Sequence, residues 1–222
     1  MYTNLITNLV SHGYIVVGVN SMFINGSLQK SNGYVVRSPD SYEATIGRNE
    51  NLEDIKFTLD NIYKIPFKRD LKNHMNFDFI GLIGHSRGGM SIVHLLNQYT
   101  TYPKIKAVIL MDPGNNLGIK NYPISIIDIP TLVMWSASFK KTTDGSTVLN
   151  KNVYDFVIQN KEQNPNYSNH NNFCDFSTLQ YHSGYSNVNV HRELTVGIGN
   201  GFEIAKIINE KTLTFFDRYL KK

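Results

Sequence analysis

Ser86 stands between two glycines in Gly84-His85-Ser86-Arg87-Gly88, directly after the apolar run Phe79-Ile80-Gly81-Leu82-Ile83. Apolar residues then recur at spacings of three and four, through Met90, Val93 and Leu96 and through Ile92, Leu95 and Tyr99. The pattern reads as a strand, a sharp turn and a helix, with the serine on the turn. So tight a turn needs neighbours without side chains, which Gly84 and Gly88 supply. It would lift the Ser86 hydroxyl clear of the sheet. The first amides of the helix, beginning with the backbone N–H of Arg87, would then face the position of a tetrahedral oxyanion. Nucleophilic acyl transfer is the chemistry these residues suit; a purely structural Gly-Ser turn is the plain alternative.

A serine nucleophile needs a base, and the base needs an acid to orient it. Asp112 follows the buried-strand run Ala107-Val108-Ile109-Leu110-Met111 and so sits at a strand end, where α/β sheets bind ligands. Its competing role is to set a turn before Pro113. Asp144 is the rival acid, several residues beyond the run Pro130-Thr131-Leu132-Val133-Met134-Trp135. Where such turns occur in α/β-hydrolases the chain order is serine, acid, histidine. That order leaves His170, His182 and His191, and the residues alone do not choose among them. His85 should pack behind the turn, because neighbouring side chains diverge there.

The elements that would position these groups can be followed along the chain. Leu5 and Leu9, with Ile6 and Val10, predict a short amphipathic helix over Met1–His12, closed by Gly13 as a left-handed cap. Tyr14-Ile15-Val16-Val17-Gly18-Val19 reads as a strand buried on both faces. Asn20–Glu50 is polar and aperiodic, a long loop suited to one wall of a substrate cleft. Asn51–Ile65 is again helical and ends before Pro66. Asn200-x-x-Glu203 opens a final amphipathic helix through Leu220. Strands alternating with helices imply an α/β fold with a doubly wound, mostly parallel sheet, in a single domain spanning 1–222.

Composition narrows the function classes. The 222 residues, 41% hydrophobic and 18% charged, can build one sizeable core. The net charge of +4 is thinly spread, with no nucleic-acid module, so no nucleic-acid partner is expected. There is no zinc-ligand spacing, and serine acyl transfer calls for no metal or organic cofactor. The single cysteine, Cys174, forms no internal disulfide framework and reads as a small buried residue. No run reaches the length of a membrane span, and the first residues lack a basic region followed by an apolar stretch. The compartment is left open.

Four segments, in the same order along the chain, resemble the plasma-type platelet-activating factor acetylhydrolase family. They are Leu9–Val16 with its His12-Gly13, the turn Gly84-His85-Ser86-Arg87-Gly88-Gly89, Leu110-Met111-Asp112, and His170-Asn171-Asn172-Phe173-Cys174-Asp175-Phe176. Arg87 departs from the human-type enzyme, which carries an aromatic residue there. The resemblance implies an α/β-hydrolase fold, a Ser86–Asp112–His170 triad with the Arg87 N–H as an oxyanion donor, and hydrolysis of short or oxidised acyl esters. Its substrate would be a small ester or a phospholipid, met in transient contact with a membrane surface. The turn and the strand ending in Asp-Pro also resemble chlorophyllase and polyester-hydrolase relatives, and a catalytically silent binding module of the same fold is the alternative of another class. The resemblance further implies that the chain lacks N-terminal strands of that fold, one of which would lie between Tyr14–Val19 and Phe79–Ile83.

Overall fold

A computed structural model describes residues 2–21, 27–29, 31–37, 44–67, 69–99, 102–113, 128–138, 152–182 and 196–221. Among the described residues, four parallel strands form the main sheet: β3 (Ile80–His85), β4 (Ile105–Met111), β5 (Thr131–Ser136) and β6 (Val153–Ile158), in that spatial order. Two three-residue strands, β1 (Ser27–Gln29) and β2 (Val35–Arg37), make a separate antiparallel pair. The helices among the described residues are α1 (Thr3–Ser11), α2 (Ala44–Asn61), α3 (Arg69–Asn73), α4 (Arg87–Gln98), α5 (Phe176–His182) and α6 (Gly201–Leu220).

The strand side chains divide by parity. Ala107, Ile109 and Met111 of β4, with Leu132 and Met134 of β5, face one layer, where they pack with Leu5 and Leu9 of α1 and Ile204, Ile208, Phe215 and Phe216 of α6. Val108 and Leu110, with Val133 and Trp135, face the other, against Leu52 and Ile55 of α2 and Ile92, Val93 and Leu95 of α4. Residues alternate between faces in a strand, and helices cover both. The expected doubly wound parallel sheet is therefore present, and β4 and β5 read as unbroken apolar runs because neither face meets water.

Several local expectations are corrected. Residues 14–19 form no strand: they run without a ladder partner, and Ile15, Val17 and Val19 are exposed while Tyr14 and Val16 pack on the core. A β-branched run needs a neighbouring strand to become one, and β3, the edge of the sheet, does not pair with it. The stretch expected as a loop over Asn20–Glu50 contains the β1–β2 pair and the first turns of α2. The α2 helix thus begins earlier than the apolar spacing indicated, and after Asn61 it tightens to a single 3₁₀ turn, Ile62–Lys64, before Pro66. Strand β6, read nowhere in the sequence, closes the far edge of the sheet.

The α1 helix is held from outside. It has no capping side chain of its own at Tyr2; instead Asp175 accepts hydrogen bonds from the Thr3 and Asn4 amides at 2.8 and 3.1 Å. Burial opposes the charge on this carboxyl, but the two amides prevail and hold it below the usual carboxylate range. Gly13, at φ 88°, ends the helix in the left-handed conformation expected of it. Of the apolar stripe only Leu5 and Leu9 are buried, whereas Ile6 and Val10 are exposed. Leu9→Ala should therefore cost about 2–5 kcal/mol in chemical denaturation and Val10→Ala no more than about 0.5 kcal/mol. Equal costs would contradict this docking.

Candidate active site

Ser86 joins β3 to α4 with φ 53° and ψ −119°, a backbone region that side chains other than glycine rarely occupy. The strain is held by fixed bonds on both sides. The Ser86 N–H donates to the Met111 carbonyl at 2.9 Å, and the Ser86 carbonyl accepts from Met90 N–H at 3.1 Å, the first bond of α4. A Cβ on Gly84 would stand 2.6 Å from the Gly88 carbonyl carbon and the Gly89 nitrogen, so only glycine allows strand and helix to approach. Gly88 differs from its expected role, since a Cβ there would meet nothing within 4 Å; a Cβ on Gly89 would stand 3.0 Å from the Gly84 oxygen, the second close approach. Gly84→Ala should therefore lower the melting temperature far more than Gly88→Ala, and the reverse order would contradict this account of the turn.

Asp112 leaves the end of β4 with φ 41°, its amide donating to the Met134 carbonyl at 2.8 Å. Its side chain is wholly buried. The carboxylate accepts hydrogen bonds from the Ser136 amide and the Ser136 hydroxyl, both at 2.6 Å, and lies 3.2 Å from Nδ1 of His170. No sequence signal had marked Ser136. It occupies the last position of β5, directly beside the end of β4, and its only cue was that the neighbouring strand ends in an acid.

His170 opens a 3₁₀ turn, His170–Phe173, fixed by a reciprocal pair of asparagines. Asn169 Oδ1 accepts from the His170 amide at 2.8 Å, and Asn172 Oδ1 accepts from the Asn169 amide at 2.7 Å. The segment is tied to the end of β5, where Ser138 Oγ donates to Asn169 Oδ1 and the Ala137 amide donates to Ser168 Oγ, each at 2.8 Å. Phe173 anchors it in the core. Cys174, half-buried rather than fully so, contacts the Asn171 carbonyl through its sulfur at 3.2 Å, and burial pushes its thiol up. The Asn-rich loop is thus a network of hydrogen-bonded polar groups.

The His170 ring lies 4.4 Å, centroid to centroid, from that of His85, the residue preceding Ser86. His85 does pack behind the turn: Tyr2 OH and His85 Nδ1 are 2.9 Å apart, and Phe173 lies on the ring at 5.7 Å. Burial, aided by the charge of His170, pushes the His85 pKa down from 6.5 to about 3. The structure therefore brings Ser86, Asp112 and His170 to one edge of the sheet, the last two in direct contact. Asp144 and His191 lie outside the described residues, and of His182 only the backbone, at the end of α5, is described. Among the described residues there is no group of three His, Cys, Asp or Glu that could hold a metal, and no helix long and apolar enough to cross a membrane.

A family model described as platelet-activating factor acetylhydrolase, isoform II, matches residues 44–221. The chain belongs to this family. Its fold is also that of a solved ferulic acid esterase from Streptomyces cinnamoneus, at a TM-score of 0.63 and 16% identity over 88% of this chain. The match spans 56% of the esterase chain's length. No curated protein matches. At that identity the likeness shows the α/β-hydrolase fold, and it agrees with the acetylhydrolase family in placing the chain within it.

The depressed pKa of His85 makes acid stability readable. Between pH 6.5 and about 3 the unfolded chain binds a proton at His85 that the native state excludes. Its contribution is therefore intact above pH 6.5 and falls by about 1.4 kcal/mol per pH unit as acid is added. His85→Gln should flatten this limb in urea titrations at successive pH values. An unchanged slope would mean that His85 ionises freely in the folded protein.

Proposed function

We propose that this chain is a serine carboxylic-ester hydrolase that works through an acyl-enzyme. Ser86 Oγ attacks the ester carbonyl, His170 takes its proton, and the C–O bond to the alcohol breaks as His170 returns that proton to the leaving oxygen. Water then repeats the exchange on the Ser86 ester and releases the acid. Asp112 holds the imidazole through Nδ1, so that the other ring nitrogen is the one that exchanges protons. The backbone N–H of Arg87, first in α4 and so without a helical partner, donates to the oxyanion. The observation that carries this reading is the wholly buried Asp112 carboxylate 3.2 Å from His170 Nδ1, at the same sheet edge as the strained Ser86 turn.

The family supports esters with short or oxidised acyl chains, including phospholipids reached at a membrane surface. On this reading p-nitrophenyl acetate and butyrate are cleaved faster than long-chain emulsified esters, without activation by an interface. Ser86→Ala should lower kcat by several orders of magnitude with the fold intact by circular dichroism. Asp112→Asn, which favours the wrong imidazole tautomer, should cost on the order of 10⁴ in kcat. A Ser86→Ala protein that kept most of its esterase activity would end the proposal; one in which Asp112→Asn alone was harmless would move the acid elsewhere.

A further inference from the structure

Beside the Ser86 turn lies a cavity of about 540 Å³. It is lined by β3 and the turn itself, Gly81 to Gly88, by residues 14–19, and by Leu5, Ile6 and Leu9 of α1. Most of the lining is aliphatic or aromatic, and its serine and asparagine side chains are Ser21, Asn51 and Ser86 itself. Two of these are already engaged. Ser21 Oγ donates to Asn51 Oδ1 at 2.7 Å, Asn51 Nδ2 donates to Ser91 Oγ at 2.9 Å, and Ser91 Oγ donates to the carbonyl of Arg87 at 3.0 Å. The relay ends on the Arg87 backbone and holds it in place.

The Arg87 side chain is different. Arg87 is an exposed residue of the cavity lining, and among the described residues its side chain makes no ion pair and no hydrogen bond. Among the described residues lining the cavity it is also the single one of fixed charge, with no carboxylate among them. The other basic group there, His85, stays neutral because burial pushes its pKa down to about 3. An exposed guanidinium with no partner among the described residues, set beside a largely apolar wall, can take an anion, since its planar fork matches a carboxylate or phosphate. Sequence position fixes the distance scale, because Arg87 directly follows the nucleophile.

We propose that Arg87 determines specificity, selecting esters that carry an anionic oxygen group within a few bonds of the scissile carbonyl. The inference rests on the ester-hydrolase reading and deepens it. The anion takes no part in bond making or breaking; it pairs with the guanidinium and so orients the carbonyl toward Ser86. Such a group can be on the acyl side, as in a half-ester of a dicarboxylic acid, or on the leaving alcohol.

Two substrate pairs separate these sources: p-nitrophenyl hydrogen glutarate against p-nitrophenyl valerate, and p-acetoxybenzoate against its methyl ester. The readout is the ratio of kcat/KM, anionic over neutral, within each protein, so a general loss of catalytic power cancels. The wild-type protein should favour the anion in one pair. Arg87→Gln should lower that ratio by about tenfold or more, the loss expected for one charge-assisted hydrogen bond, while Arg87→Lys keeps part of it and added salt reduces it. The pair that responds tells which side of the ester bears the anion. Ratios in both pairs that stay within about twofold of wild type in Arg87→Gln would overturn the proposal while the neutral esters are still cleaved. Failure of the wild-type protein to cleave any of the four would overturn the ester-hydrolase reading, and this inference with it.

Discussion

A wholly buried carboxylate must find all its hydrogen bonds inside the protein, and at Asp112 that requirement gathers the ends of separate elements. Asp112 itself leaves β4, Ser136 ends β5, and His170 comes from the turn beyond β6. Leaving any one of these partners out would strand a desolvated charge, which costs far more than a missing surface contact. The polar network behind it follows from the same demand. Ser168, Asn169 and Asn172 exist as a set because a loop carrying His170 over the sheet edge must satisfy its own backbone. The strained φ of Ser86 and Asp112 is tolerated because the amide of each is bonded to the end of the adjacent strand, at Met111 and Met134.

Much of this was legible in the residues. The serine turn is written in Gly84, since a side chain there would collide with the start of α4, and the buried strands β4 and β5 announce themselves by largely apolar runs. Asn200 reads directly as a cap and accepts from the Phe202 and Glu203 amides. What was not legible depended on partners distant in sequence. Residues 14–19 have strand composition, but composition does not supply a neighbouring strand. Strand β6 escaped because Asp155 and an exposed Tyr154 break its apolar pattern at the sheet edge. Ser136 gave no sign of itself, because its role is defined by Asp112 lying next to it in space. The pairing of Tyr2 with His85 links positions too far apart in sequence for any local pattern to reveal.

The chemistry gathers at the carboxyl edge of the sheet for a geometric reason. Parallel strands all end on the same side, so the residues following β3, β4, β5 and β6 converge without any long detour of the chain. On that edge the cavity and the serine share a wall, and the turn that strains Ser86 also places Arg87 at the cavity. One short stretch, 84–89, therefore sets Ser86, the first helix amide and the one fixed charge among the described residues of the cavity lining.

The central claim is that Ser86 is an activated nucleophile rather than a residue on a tight turn. Covalent labelling by a fluorophosphonate probe, with the adduct located by peptide mass spectrometry, measures this without assuming any substrate. The account predicts one adduct on the native protein, on the peptide carrying Ser86, lost when the protein is unfolded before labelling. A native, folded protein that takes up no probe, or takes it up at another residue, would contradict it.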